Sequence, residues 1–360
     1  MSTDRRIRVG VIPGDCIGPE VVGVTLPLLE QAAALDARTI EFSHFGWGSE
    51  MYLERGEIMP ADAAEQIAGF DAVLFGAVGD PRVSSGISSW GLILALRQQL
   101  GLTVNLRPVR AWDGVPSPVR DADGADLVVV RENSEGEYVG IGGRVHPDRQ
   151  SATAIEVAVH TRETIESLAH YSFRLAQKRR GLVTVATKSN SLRHAFEFWD
   201  DVVAGVAQSY PDVKVEYALI DSLCARVVQR PLSLDVVLGS NLFGDILSDL
   251  AAVIGGGLGM APSANLSISG DVVGIYEPVH GSAPDIAGRR IANPVACVLS
   301  AAMLLDDCDC AVGAAALRDA VAIAVASPTT RTVDLGGTAN TDECAAAIAS
   351  ALALPVAARS

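Results

Sequence analysis

Two aspartates four residues apart, Asp245 and Asp249, stand in the stretch Ser240-Asn-Leu-Phe-Gly-Asp245-Ile-Leu-Ser-Asp249. At helical spacing their Cβ atoms lie roughly 5–6 Å apart on one face, where like charges repel unless something offsets them. A divalent cation would do so, and hard Mg²⁺ or Mn²⁺ favours carboxylate oxygen. The sequence shows no other compensation for the pair. The alternative, a solvated acidic face, fits poorly because Ile246, Leu247 and Leu250 leave little of this helix for water.

Lys188 follows an apolar run in Ala186-Thr-Lys188-Ser-Asn190. Arginine is the usual cation of this chain, and only Lys178, Lys188 and Lys214 depart from it. Lysine can give up its proton when desolvated and arginine cannot, so a lysine at a strand end suits proton transfer. A surface lysine is the other reading. Arg97, Arg107 and Arg131 form a third set, since guanidinium groups pair bidentately with the carboxylates of a diacid. Any one of them alone reads equally as a surface ion pair. Tyr138, at the end of Arg131-Glu-Asn-Ser-Glu-Gly-Glu-Tyr138, is either a proton donor or a half-buried aromatic.

Such groups need rigid elements to aim them. Short β-branched runs at 8–12, 72–76, 127–131, 183–187 and 236–239 alternate with helical patterns at 21–35, 61–68, 161–179, 192–209 and 242–254. Alternation of this kind predicts an α/β fold with a largely parallel sheet. Residues 140–159 differ. Their Gly-Gly-Arg and alternating Thr153-Ala-Ile-Glu-Val-Ala-Val predict a β-hairpin arm, which a compact α/β domain does not require. No G-x-G-x-x-G links the first strand to the first helix. Gly14 and Gly18 flank Asp15-Cys16-Ile17, and the glycine run at 255–259 is also wrongly spaced, so a dinucleotide site here is not of Rossmann type.

The chain has 360 residues and a formal net charge of −15, which argues against nucleic acid or an anionic membrane as main partner. Its most apolar late stretch, 291–305, is broken by Asn293 and Pro294, too short a run for a membrane span. The N-terminal residues lack the apolar core of a secretory signal. Six cysteines without a CxxC pair read as reduced thiols. These features place the protein in the cytoplasm.

From Ile12-Pro-Gly-Asp15 to Thr332-Val-Asp334-Leu-Gly-Gly337, the chain resembles the β-decarboxylating dehydrogenases, the family of isocitrate, isopropylmalate and homoisocitrate dehydrogenases. The Ser240–Asp249 block carries most of the resemblance, with Ala261-Pro-Ser-Ala-Asn265 and Glu277-Pro-Val-His-Gly-Ser-Ala-Pro-Asp285. It implies an isopropylmalate dehydrogenase-like, non-Rossmann two-domain α/β fold. Residues 1–103 and 256–360 would form a discontinuous large, cofactor-binding domain, and 104–255 a smaller dimerisation and substrate domain carrying the arm. It also implies a homodimer with shared active sites, in which Lys188 and Asp221 serve the partner's site. The metal ligands would be Asp221, Asp245 and Asp249, and the carboxylate clamp Arg97, Arg107 and Arg131. Lys188, Tyr138 and Asp221 would be catalytic. Cofactor contacts would come from Asn190, Glu277, His280, Gly281, Ser282, Ala283, Pro284, Asp285, Ile286 and Asn293.

The reaction so implied is oxidative decarboxylation of a 2-hydroxy dicarboxylic acid with Mg²⁺ or Mn²⁺. A monovalent cation such as K⁺ is a further cofactor that the resemblance leaves open. Asp285 would accept from ribose hydroxyls and repel a 2′-phosphate, which favours NAD. Trp90, Phe45-Gly-Trp47 and the stretch from Glu132 to Gly143 look most like the tartrate/D-malate dehydrogenase branch. Trp90 would fill the space beside the substrate's C3 and leave room for C4 acids. Alternatively it walls a pocket for an alkyl or aryl malate, as in 3-isopropylmalate dehydrogenase or a biosynthetic relative. A catalytically dead paralogue would have lost one of Lys188, Tyr138, Asp221, Asp245 or Asp249, and all are present. One departure stands out: Cys16 occupies the middle glycine of the family's Gly-Asp-Gly-Ile-Gly loop, a strained place for cysteine if φ there is positive.

Overall fold

A computed structural model describes residues 6–355. In chain order the strands are β1 (Arg6–Gly14), β2 (Thr39–His44), β3 (Ala72–Ala77), β4 (Val104–Arg110), β5 (Asp126–Glu132), β6 (Gly136–Val145), β7 (Thr153–Val159), β8 (Leu182–Thr187), β9 (Lys214–Leu219), β10 (Val236–Gly239), β11 (Pro262–Leu266) and β12 (Gly274–Pro278). Ten of them make one sheet in the order β2-β1-β3-β12-β11-β4-β5-β10-β8-β9. Both flanks are parallel, as the alternating pattern predicts. The middle is not: β11 runs antiparallel to β12 and β4, and β4 antiparallel to β5. Helices cover both faces of the flanks, so β3 and β10 are buried along their whole length and read as unbroken apolar runs.

Two large apolar clusters lie on either side of this antiparallel centre. One draws its buried residues from 104–254, among them Phe173, Phe196 and Trp199. The other joins the first helix, Gly18–Ala33, to the late helices Val295–Asp307, Ala311–Ala326 and Thr341–Leu352. Val295–Asp307 is buried on every residue from 295 to 305, so it lacks the polar stripe that marks an amphipathic helix in a sequence. No helix among the described residues is long and apolar enough to cross a membrane.

β6 and β7 pair only with each other and form the arm. Ile141, Val145, Ile155 and Val157 are exposed on it, and Ile141 pairs directly with Val157. These residues share one face, because directly paired residues point the same way and i, i+2 neighbours follow.

Candidate active site

The antiparallel centre of the sheet carries a polar layer on one face. Strand alternation puts Asn105 and Arg107 of β4 on that side and turns Leu106 and Pro108 to the other. Register places Asn105 opposite both Arg131 of β5 and Asn265 of β11, and Ser263 opposite Glu277. Side-chain hydrogen bonds knit these residues together. Asn105 Nδ2 donates to Ser263 Oγ (3.1 Å) and Asn265 Oδ1 (3.0 Å), and Arg107 Nε donates to Asn105 Oδ1 (2.6 Å). Asn265 Nδ2 donates to Glu277 Oε1 (2.8 Å), which also receives Arg97 Nη2 (2.6 Å). Asn105, Ser263 and Asn265 are fully buried. The network meets the requirement that buried polar groups find partners, and it holds the arginines in place.

The helix Asn241–Ala252 covers this layer, with Ser240 as its N-cap accepting from Phe243 N. Asp245 and Asp249 leave the face turned to the arginines. Arg107 Nη1 reaches Asp245 Oδ1 (3.2 Å), Ser248 Oγ (2.7 Å) and Asp249 Oδ1 (3.4 Å). Arg131 Nη1 bonds Asp245 Oδ1, while its other nitrogens hold Asn241 Oδ1. This corrects the sequence reading of an uncompensated acidic pair. The compensating cations come from strands 138 and 114 residues away along the chain, beyond the reach of any local pattern. Burial first, and neighbouring cations with it, holds Arg107 and Arg131 below the ordinary arginine value. Such crowding of cations is relieved by an anion.

Tyr138, at the base of the arm, donates to Asp245 Oδ2 (3.2 Å) beneath the Arg131 guanidinium, 5.5 Å from its ring. Burial and the Asp245 charge raise its phenol above the ordinary tyrosine value, so it stays protonated as a donor. Arg97, Arg107, Arg131, Tyr138, Asp245 and Asp249 are thus brought together.

Lys188 and Asp221 are not. They pair with each other at 3.0 Å, Lys188 after β8 and Asp221 at the start of the helix Ile220–Gln229. The Asp221 side chain is 66% exposed. Its hydrogen bond from Lys188 holds the carboxyl below the usual range. Among the described residues of one chain, no group of three or more His, Cys, Asp or Glu converges to hold a metal, so Asp221 does not join Asp245 and Asp249.

The residues expected around a cofactor divide. Ser282 O accepts from Ile17 N (3.1 Å), tying the loop of Gly281, Ser282, Ala283, Pro284, Asp285 and Ile286 to the N-terminal loop. Asp285 is exposed there. His280 Nδ1 sits 2.9 Å from Gly281 O, a carbonyl that can only accept, so Nδ1 carries the proton and Nε2 is an acceptor. That Nε2 is buried without a partner. Glu277 is committed to Arg97 and Asn265. Asn293 spends both polar atoms inside the fold, on Asp334 and on the start of the helix Val295–Asp307. Asn190 is exposed beside Lys188.

The sequence reading missed Asp15. Its carboxylate accepts from Ser49 N, Ser49 Oγ and Gly79 N, each at 2.7 Å, and pins the N-terminal loop. Cys16 has φ 51, the left-handed value that its place in the loop suggested would strain it. Trp90 is 39% exposed, and a Cβ on Gly140 would come within 3.1–3.2 Å of its ring, so the indole lies over the arm base. A cavity of about 210 Å³ beside Arg97, Arg107 and Glu277 is lined by Ser89, not by Trp90. A larger one, about 340 Å³, opens on the opposite face of the same strands, against Leu106, Pro108, Pro262 and Leu266, away from these residues.

The chain matches the family model for isocitrate/isopropylmalate dehydrogenase over residues 8–348. It is 43% identical over 356 residues to a probable tartrate dehydrogenase/decarboxylase of Agrobacterium vitis, covering 97% of this chain and 98% of the relative. It is 45% identical to the decarboxylating D-malate dehydrogenase of Escherichia coli (84% and 85% covered). To the 3-isopropylmalate dehydrogenase of Bifidobacterium longum it is 44% identical (83% and 87% covered). The crystal structure of isocitrate dehydrogenase from Methylococcus capsulatus superposes with a TM-score of 0.89 at 30% identity, covering 97% of this chain and all of the other.

Proposed function

The chain belongs to the isocitrate/isopropylmalate dehydrogenase family, and from that premise we propose that it oxidises and decarboxylates D-malate or a tartrate isomer with NAD and a divalent cation. As a family member it is an oxidoreductase, a decarboxylating dehydrogenase. The observation that carries the substrate reading is the buried cluster of Arg97, Arg107 and Arg131 against Asp245 and Asp249 on one polar face. A small dicarboxylate suits cations held at fixed positions by asparagine and serine side chains. The family's 3-isopropylmalate activity is the competing reading.

The donor set fits a divalent cation and NAD. Asp245 and Asp249 offer hard oxygens one helical turn apart, 34% and 52% exposed, and a third would come from Asp221 of a second copy. The unpartnered His280 Nε2 and the exposed Asp285 fit the hydroxyls and amine of a dinucleotide without a 2′-phosphate. A cation held by Asp245 and Asp249 would supply Lewis-acid polarisation of the 2-hydroxyl and its neighbouring carboxylate, and NAD held by the loop of His280 and Asp285 would supply the hydride acceptor. Arg97, Arg107 and Arg131 hold the substrate carboxylates. Lys188 takes the 2-hydroxyl proton, directly or through water. The 2-oxo acid then loses its β-carboxylate as CO₂, and the Tyr138 hydroxyl delivers a proton to C3. Each acid–base group contributes about 10²–10⁴-fold.

Lys188 and Asp221 stand apart from the other groups within one chain, which supports a homodimer that completes each site with the partner's pair. The apolar arm face and the exposed Val228 and Ile246 offer a surface for it. Residues 1–103 with 256–360, and 104–255, would be the two domains. Six free cysteines suit the reducing cytoplasm. The test is NADH formation with D-malate, the tartrate isomers, 3-isopropylmalate and isocitrate, with and without chelator. Turnover of D-malate or a tartrate isomer that chelation abolishes supports the proposal. A preference of tenfold or more for 3-isopropylmalate overturns it.

A further inference from the structure

The helices Ser85–Gly91 and Ile93–Gln99 meet at Leu92, whose φ of −119 and ψ of −86 break the helical path. Next to this break, adjacent residues go to different places. Trp90 lies over Gly140 at the arm base, and Ser89 lines the 210 Å³ cavity with Arg97, Arg107, Ser263, Glu277 and His280.

Most polar groups of that cavity are already committed. Arg97 Nη2 is held by Glu277, Arg107 by Asn105 and Ser248, and Ser263 Oγ receives Asn105 Nδ2. Three groups differ. Arg97 Nε and His280 Nε2 are enclosed without partners, and the Ser89 hydroxyl has no hydrogen-bond partner among the described residues, so Ser89 is the uncommitted hydroxyl of the lining, beside the Arg97 guanidinium. A guanidinium and a free hydroxyl lining one cavity match an α-hydroxy carboxylate, which presents an anion and a hydroxyl on adjacent carbons. A 2,3-dihydroxy diacid has two such ends. The reacting 2-hydroxyl belongs to one end, and the 3-hydroxyl with its own carboxylate is left for the other. D-malate offers only CH₂ at that carbon, and an isopropyl group would bring apolar surface against an uncommitted polar side chain.

Resting on the substrate reading above, we propose that Ser89 reads the substituent at C3. Its hydroxyl pairs with a 3-hydroxyl while the Arg97 guanidinium takes the adjoining carboxylate, so the enzyme prefers a tartrate-type 2,3-dihydroxy diacid to D-malate. A neutral hydrogen bond of this kind changes kcat/KM by about 3–10-fold. The experiment compares wild-type, Ser89→Ala and Ser89→Thr on the tartrate isomers and D-malate, with tartrate binding also measured by calorimetry. The expected result is higher wild-type kcat/KM on one tartrate isomer than on D-malate. Ser89→Ala should lower the tartrate value and tartrate affinity about 3–10-fold, change D-malate by less than about twofold, and be partly rescued by Ser89→Thr. An equal fall on both acids, or none on either, overturns the role of Ser89 while leaving the substrate reading intact. An enzyme that turns over neither acid overturns the substrate reading and this inference with it.

Discussion

The chain carries two chemical regions built in opposite ways. Around Arg107 and Arg131 the charged groups are braced: both arginines are buried, four strands and a helix contribute to the network, and the asparagines between them are satisfied. Around Lys188 there is one exposed ion pair at the end of a strand and the start of a helix. The first region is held by its own hydrogen bonds within one chain. The second is a partly exposed ion pair without enclosure, as the proposed shared site requires of the half seen from one chain. Under the proposed function, preorganisation belongs to the arginine cluster, and the Lys188–Asp221 pair would depend on assembly to acquire it.

The largest expected effect separates the two regions by kind. Lys188→Ala should lower kcat by about 10²–10⁴-fold. It should cost less than about 1 kcal/mol of stability, because a partly exposed ion pair contributes little. Arg131→Ala should instead cost about 1–3 kcal/mol of folding stability, since it strips Asn241 and Asp245 of a buried hydrogen-bonding partner while Arg107 still pairs Asp245. Denaturant melts of both variants beside their kinetics check this, and equal stability losses would erase the distinction.

Mixing gives the next largest signal. Lys188→Ala and Asp249→Ala proteins, each inactive alone, should regain activity when co-refolded, because one site of each mixed dimer recovers both groups. A fully active monomer, established by ultracentrifugation at assay concentration, would show instead that the two regions meet within one chain.

Two smaller effects probe the loops proposed to hold the cofactor, which belong to neither region. Asp285→Lys should narrow the ratio of NAD to NADP kcat/KM by removing repulsion of a 2′-phosphate, while leaving substrate KM little changed. Cys16→Gly should relieve a left-handed residue and raise stability by up to about 1 kcal/mol, read as a small increase in melting temperature.

Several features were legible because they depend on neighbours in sequence. The one-turn spacing of Asp245 and Asp249 put both on one helix face, and the five β-branched runs became β1, β3, β5, β8 and β10. The alternation at 153–159 became an arm strand. The helix Val295–Asp307 hid its type, because a helix buried on all sides has no polar stripe to count.

What sequence alone determined, then, is local: strand and helix periodicity, the acidic pair, the absence of a Rossmann loop, and the family membership carried by contiguous motifs. Only the tertiary structure decided which charges meet. The partners of Asp245 come from β4 and β5, and the antiparallel registry of β12, β11, β4 and β5 builds the polar layer that holds them. It also turned Trp90 onto Gly140 and left Ser89 lining the cavity. The physical reason is that periodicity specifies which face a side chain occupies on its own element. What that face touches is set by long-range pairing and by a backbone break at Leu92, and neither is written in the spacing of adjacent residues.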